Sequence, residues 1–474
     1  MKFTSGLLLL LFISGCAEKE KKATQPNIIY ILADDLGYGD LGCYGQEIIK
    51  TPNIDKLAEQ GILFTDHYAG SSVCAPSRAA LMTGFHTGHN RVRGNYEVGP
   101  LGFGACLELR EQDVTIAEVL KPLGYTSAVI GKWGLGMNGT TGEPNKQGFD
   151  YSYGFLNQGH AHFQFPSFVF RNGERLEIPE NKNLANKRFS NDLFTEEALR
   201  FVGVDHEAPF FLYLAYTTPH AEMLLPESDI FDAYKGIVAE KPYVKKGQPD
   251  STDNNKGAYR SQEFPAAAYA AQISHLDSCV GVLVKRVADL GLSEETVFMF
   301  SSDNGPHAEG GANPAYFNSA GKLKGQKRDL YEGGVRVPFI VKWEGKIEPK
   351  SVSDEPSAFW DIFSTMESLA GSLEPSKNDG LSLLPTLMGQ NQQAHDYLYW
   401  EFHENPSTNQ AIRKGNWKAV RHDPKGEIEL YNLSSDLSES TDLASEFPEK
   451  VAEMAVLFTQ ARTEHEIWAL KSKR

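Results

Sequence analysis

From position 27 onward, continuous apolar runs alternate with amphipathic stretches. Residues 27–33 (NIIYILA), 126–130, 210–216 (FFLYLAY), 296–301 (TVFMFS) and 337–343 are unbroken rather than alternating. That pattern belongs to strands covered on both faces. Between them lie helical signals. Residues 53–60 read as a helix with Asn53 as N-cap and Gly61 as its stop. Thr115-x-x-Glu118 is a capping box opening a helix to Leu123, closed by Gly124. Residues 266–290 read as one long helix ended by Gly291. Strands alternating with helices predict an α/β fold with a mainly parallel sheet flanked by helices.

The pattern changes around 385–395. Short alternating runs follow at 397–401, 417–421 and 428–431, then an amphipathic helix with Pro448 near its start. This predicts a main domain over 27–385 and a smaller α+β domain over 386–474. The polar stretch 235–262 reads as a surface excursion. At the N-terminus, Lys2 precedes an apolar run over 6–13, far too short to span a bilayer and fitting the core of a secretory signal. Ile13-Ser14-Gly15-Cys16 resembles the lipobox of bacterial lipoproteins, which implies a signal over 1–16, acylation of Cys16 and a tether over 17–26; a plain cleaved signal is the alternative. The expectation is a soluble domain in the bacterial cell envelope, held to the membrane by a lipid anchor at Cys16.

Composition narrows the partners. Of 474 residues, 46 are Lys or Arg against 62 Asp or Glu, a formal net charge of −16. Nucleic acid is excluded as a non-specific partner, since that binding needs a basic surface. An anionic substrate must be met by a local basic pocket. Of five cysteines, Cys43, Cys106 and Cys279 stand outside any motif and form neither a disulfide framework nor a zinc ribbon.

The chemistry gathers where strands end. Asp34 and Asp35 follow the first strand, Lys132 the second, His220 the third, and Asp303-Asn304 the fourth. In open parallel sheets ligands bind at the carboxyl ends of strands. Asp34, Asp35, Asp303 and the Asn304 carbonyl are hard oxygen donors, suited to Ca²⁺ or Mg²⁺ rather than zinc or copper. A helix cap and an Asp-Asn-Gly turn are the alternative reading of the same residues. Cys74-Ala75-Pro76-Ser77-Arg78 combines a nucleophile precursor with Pro76 at an expected first helical position and Arg78 one turn after Cys74. His160, His162, His307 and Glu309 lie beside aromatic residues or in the Asp303 loop and are candidates to hold a sugar. Arg93-Gly94-Asn95 is a further candidate near the site.

The Cys74 pentapeptide resembles the signature of the type I sulfatases. Gly131-Lys132-Trp133, Thr218-Pro219-His220, Asp303-Asn304-Gly305 and Lys327-x-x-x-Tyr331-Glu332-Gly333-Gly334 occur in the order seen in that family. The resemblance runs from about 27 to the C-terminus. It implies an alkaline-phosphatase-like fold and hydrolysis of sulfate esters, with sulfated carbohydrates as the expected substrates. It implies that a separate maturation enzyme oxidises Cys74 to formylglycine, whose hydrate attacks sulfur with one hydroxyl and expels sulfate with the other. It implies that Asp34, Asp35, Asp303, Asn304 and residue 74 hold one Ca²⁺. Arg78 would then fix the hydrate or a ligand oxygen, Lys132 and Lys327 bind sulfate oxygens, and His220 protonate the leaving oxygen. The family often has histidine two residues after the lysine, where this chain has Gly134. Water, His86, His89 or a residue near His307 are the substitutes for it. Three alternatives stand beside this reading: a small-ester or arylsulfatase, an inactive glycan-binding lipoprotein, and a phosphohydrolase of the same superfamily. Asn304, where the phosphohydrolases place histidine, speaks against the last.

Overall fold

The computed structural model describes residues 25–95, 107–245 and 259–473. The signal segment with Cys16, most of the 17–26 stretch, Cys106 and the middle of 235–262 lie outside the described residues.

Ten strands make one sheet. In spatial order they are Ser351–Ser353, Ile62–Phe64, Phe339–Trp343, Thr296–Ser302, Asn27–Asp34, Phe210–Pro219, Thr126–Lys132, Tyr151–Phe155, Phe168–Arg171 and Glu174–Glu177. The five strands from Thr296–Ser302 to Tyr151–Phe155 are mutually parallel. Antiparallel neighbours close this block on both sides. The sheet is therefore mixed, with a parallel centre, and the long apolar runs are its central strands.

Alternation across the sheet builds two cores. Ile29, Ile31 and Ala33 face a layer that includes the helices Pro52–Glu59, Ser190–Val202 and Pro265–Asp289. Ile28, Tyr30 and Leu32 face Cys74–Thr83 and Phe359–Leu369. With both faces covered, each buried Ile or Leu contributes roughly 1.5–3 kcal/mol. Polar side chains at the strand ends are what remain for chemistry.

The capping box forms as expected: Thr115 accepts from the Glu118 N–H, and the α-helix Ile116–Leu120 tightens to a 3₁₀ turn over Lys121–Leu123 before Gly124. Asn53 is not an N-cap. Thr51 holds that position, Pro52 starts the helix, and Asn53 donates from backbone and side chain to the Asp277 carboxylate. Asp277 thus caps the helix from a distant element. The fifth run begins its strand at Phe339 rather than 337. In the 235–262 stretch, Tyr243 and Gln262 exchange backbone hydrogen bonds, which closes the base of the excursion.

The C-terminal part is a four-stranded antiparallel sheet, Leu398–Phe402, Asn409–Lys414, Trp417–Arg421 and Glu429–Asn432. One face packs on helix Pro448–Gln460. The other, through Trp400, Phe402 and Tyr431, packs on Tyr68 and Trp360 of the large sheet's surroundings. Among the described residues Cys43, Cys74 and Cys279 are free thiols.

Candidate active site

The carboxyl ends of the central strands meet at one point, as the strand-end pattern predicts. Cys74 is the first residue of a helix buried along its whole length. Val73 precedes it in extended conformation. Pro76 is therefore the third helical residue, not the first; its missing N–H still falls among those a helix start leaves unbonded. Asn95 reaches this helix start, its Oδ1 accepting the Ala75 N–H at 3.0 Å. The Cys74 thiol donates to Asp34 Oδ1 at 3.3 Å. Burial pushes that thiol well above its ordinary pKa, and the Asp34 charge adds to the effect. It is a neutral thiol, not the thiolate a nucleophilic cysteine needs.

Around it stand three carboxylates and three bases, all buried. Lys132 Nζ donates to Asp34 Oδ2 at 2.6 Å. Lys327 Nζ donates to Asp35 Oδ2 at 2.8 Å. Arg78 donates from Nε and Nη2 to Asp303 Oδ2 at 3.0 and 2.7 Å, and from Nη1 to the Lys132 carbonyl at 2.8 Å. Each acid thus has its own cation, so the acids need no metal merely to coexist. Burial pushes the Asp35 carboxyl up, but Lys327, His220 and His307 together more than offset it and its pKa is lowered. For Asp303 burial wins and the pKa is raised.

Two successive aspartates reach one site because Asp35 has φ 66°, a left-handed turn at the strand end. An extended chain would send the pair to opposite faces. The Asp35 N–H donates to Asp303 Oδ1, and Asn304 Nδ2 donates to Asp35 Oδ1 at 2.7 Å. Asn304 Oδ1 is buried with no hydrogen-bond partner among the described residues. Carboxylate oxygens of Asp34 and Asp35, Cys74 Sγ and a ring nitrogen of His220 lie within 4.8 Å of one another, close enough to share an ion. An unpartnered amide oxygen beside a hard-donor set fits a divalent cation such as Ca²⁺.

Three imidazoles stack along one wall. His220 lies between His162, 4.8 Å away between ring centres, and His307, 5.8 Å away. His307 accepts the Glu309 N–H at Nδ1 and bonds the Pro219 carbonyl through Nε2. His220 Nδ1 faces the Ala221 carbonyl, which leaves Nε2 turned towards Asp35 Oδ2 at 3.5 Å. Burial, with Lys327 adding to it, lowers the His220 pKa to about 3.

Comparison with known proteins decides what this arrangement belongs to. A family model described as Sulfatase matches residues 26–372, and one described as N-sulphoglucosamine sulphohydrolase, C-terminal, matches 325–463. The chain belongs to the sulfatase family. It is 31% identical over 438 residues to the N-acetylgalactosamine-6-sulfatase of the dog, covering 88% of this chain and 75% of the relative. It is 29% identical to the N-acetylgalactosamine-6-O-sulfatase of Bacteroides thetaiotaomicron, covering 98% of this chain and all of the relative. A crystal structure of Ps i-CgsB in complex with k-i-k-neocarrahexaose superposes with a TM-score of 0.76 at 28% identity, covering 92% of each chain. The fold is the alkaline-phosphatase-like one, and the protein is a sulfuric ester hydrolase.

The sulfatase differs from the sequence expectation around this site. His160 and His162 part company, because a 3₁₀ turn places i and i+2 about 240° apart. His162 joins the imidazole stack. His160 is buried among Phe155, Phe168 and Phe170 and is not brought to the site. His86 and His89 share Asp379 at the far end of the Cys74–Thr83 helix, about 15 Å along its axis. They do not stand in for a histidine at 134. Gly134 itself has φ +78°, and a Cβ there would fall 2.1 Å from Gln158 Nε2. Gln158 fills that space, with its Oε1 buried and unpartnered among the described residues. Arg93 is not a site residue: it pairs with Glu401 of the C-terminal sheet at 2.7 Å. Sequence reading missed Gln158, Tyr259 and Arg328. The last was signalled only by its place directly after Lys327.

Proposed function

We propose that the protein removes sulfate from sulfated carbohydrates, using a formylglycine made from Cys74 and one Ca²⁺. The observation that carries this is the lattice of three acids and three bases around a buried thiol too weakly acidic to attack. Asp34, Asp35, Asp303, Asn304 and the oxidised residue 74 would hold the ion; the orphaned Asn304 Oδ1 is the donor that supports it most directly. Calcium there would make a hydroxyl on residue 74 more acidic, and formylglycine would supply that hydroxyl where the thiol cannot act.

The chain's own residues do the rest. Asp34 Oδ1, which accepts the thiol proton now, holds the hydroxyl of the matured side chain and aims it. Lys132 and Lys327 each have one short bond to a carboxylate and further N–H groups to offer sulfonyl oxygens. Arg78 keeps Asp303 and the end of the Thr126–Lys132 strand in register. Full burial excludes water, so these charges act in a weakly screened space. His220 Nε2 is the group placed to give a proton to the leaving sugar oxygen. Burial is the main cause of its lowered pKa; an arriving sulfate monoanion opposes the Lys327 and Lys132 charges that add to it and so favours protonation at Nε2.

The relatives' names make N-acetylgalactosamine 6-sulfate the first sugar to test. Sulfate release should be measured over defined sulfated sugars and a small aryl sulfate, alongside the mass of the peptide carrying residue 74. Release from sugars with residue 74 oxidised supports the reading. Release from the aryl ester alone favours a small-ester sulfatase, and an unconverted residue 74 with no release favours a binding protein. We further propose an envelope lipoprotein anchored at Cys16. Among the described residues no helix is long and apolar enough to cross a membrane. Incorporation of labelled palmitate into the wild type but not into Cys16→Ser is the expected result.

A further inference from the structure

Glu309 ties the inside of the site to its mouth. Lys327 Nζ lies 3.5 Å from its Oε2 and His220 Nε2 lies 3.9 Å away. From the other side Tyr259 donates its hydroxyl to Oε2 at 2.6 Å, and Arg328 Nη1 donates to Oε1 at 2.6 Å. Lys327 and Arg328 are neighbours in the chain, yet both side chains end on the same carboxylate. Extended backbone would point them apart. Arg328 has φ +79°, a left-handed conformation that a non-glycine residue adopts only at a cost. Both backbone N–H groups are pinned, Lys327 to the Pro306 carbonyl and Arg328 to the Ser72 carbonyl, each at 2.9 Å. The turn is therefore held in place from outside.

Its effect is to set a second cation beside the first at the mouth. Lys327 is buried, whereas the Arg328 side chain is 46% exposed. Arg328 uses one nitrogen on Glu309; its Nε and Nη2 make no hydrogen bond among the described residues. A guanidinium with a free edge is shaped to take a carboxylate or sulfate through two parallel bonds. On a chain of net charge −16, such a group at the half-exposed edge of the site is not part of a general basic surface.

We propose that Arg328 binds a second anionic group of the substrate, a sulfate on the same sugar or a carboxylate on its neighbour, while the group to be cleaved sits at Lys327. This deepens the proposed function and rests on it: the preferred substrates are glycans with two adjacent anions.

The test compares three sugars: N-acetylgalactosamine 6-sulfate, its 4,6-disulfate, and the 6-sulfated sugar joined to a uronic acid. Arg328→Gly removes the cation and accepts φ +79° without strain; Arg328→Lys keeps a charge. Binding is measured by calorimetry with calcium present on Cys74→Ala protein, so it does not depend on turnover. A doubly charged sugar should bind about tenfold tighter than the singly charged one, the size of one charge-assisted contact at a half-exposed site. Arg328→Gly should erase that advantage and Arg328→Lys retain most of it. Rising salt should weaken the advantage in the parent and leave Arg328→Gly flat. An advantage confined to the disulfate identifies the same-ring sulfate, and one confined to the uronide identifies the neighbouring carboxylate. Equal affinity for all three sugars, or an advantage that survives Arg328→Gly, overturns the proposal. Failure of the wild type to release sulfate from any sugar would instead overturn the proposed function, whatever the binding preference.

Discussion

Two buried ionic networks in this protein look alike by composition and are built for opposite purposes. In the first, Asp34, Asp35 and Asp303 are each hydrogen-bonded by one cation, with Arg78 a further 3.5 Å from Asp34 and His220 3.5 Å from Asp35, and Asn304 Oδ1 meets nothing among the described residues. In the second, Glu332 of the Tyr331-Glu332-Gly333-Gly334 motif is crowded. Lys418 donates to Oε1 at 2.8 Å, and Tyr68 and Arg336 donate to Oε2 at 2.7 and 3.1 Å. Glu439 receives the Glu332 N–H, with its other oxygen 3.2 Å from Lys418 Nζ. Burial pushes the Glu332 carboxyl up, and Lys418 with the arginines reverses this, so its pKa falls to about 2. The crowded network, in which Glu439 Oε1 has an ion pair but no hydrogen bond among the described residues, joins the C-terminal sheet to the loop that carries Lys327. The sparse one leaves donors and an acceptor for something to bind. A buried charge network thus signals function by what it leaves unpaired, not by its depth.

The contrast can be broken at its centre first. Cys74→Ala should lower sulfate release by on the order of 10³-fold or more while leaving the melting temperature close to wild type, since it deletes one weak hydrogen bond. A large loss of stability would place residue 74 in the structural class instead. Lys418→Met should do the reverse. Stranding Glu332 and Glu439 without their shared cation should cost about 3–5 kcal/mol in denaturant unfolding. Lys132→Ala should cost about 10²–10³ in kcat/KM, the range for losing one preorganised charge on a developing anion. His220→Ala should cost about 10²-fold on sugar sulfates and much less on aryl sulfates, whose leaving group needs no proton. Equal losses on both would remove His220 from the proton-donor role.

The smallest effect sharpens the comparison by pH. Burial pushes the Glu439 carboxyl up to about 7 from an ordinary 4.5. A carboxyl raised on folding favours the folded state while protonated. That contribution is complete below about 4.5 and is lost as pH climbs through about 7. Glu439→Gln should therefore show a flatter dependence of melting temperature on pH between about 5 and 8 than the wild type. An unchanged slope would mean that Glu439 does not titrate there.

The central strands were legible because burial on both faces leaves unbroken apolar runs, which need no knowledge of partners. Edges were harder. The hairpin Phe168–Arg171 and Glu174–Glu177 carries Arg171, Arg175 and Glu177 on its strands, and only its Asn172-Gly173 turn marks it. Strand Asn409–Lys414 is polar in sequence yet almost wholly buried; Gln410 there bonds Tyr399 and Arg421. No periodicity reveals an interior satisfied by hydrogen bonds. At the site, residue types and strand ends gave the participants, but pairings cross the sheet. That Arg78 would seize Asp303, 225 positions away, is a matter of topology. The left-handed Asp35 and Arg328 were equally invisible, because non-glycine residues carry no mark for that conformation.

Every residue of the helix that begins at Cys74 is shut inside the finished protein, and Cys74 itself is 2% exposed. An enzyme that is to rewrite this side chain cannot reach it there. Such an enzyme would have to read the pentapeptide before the chain collapses, and a molecule that closed too early would keep its thiol.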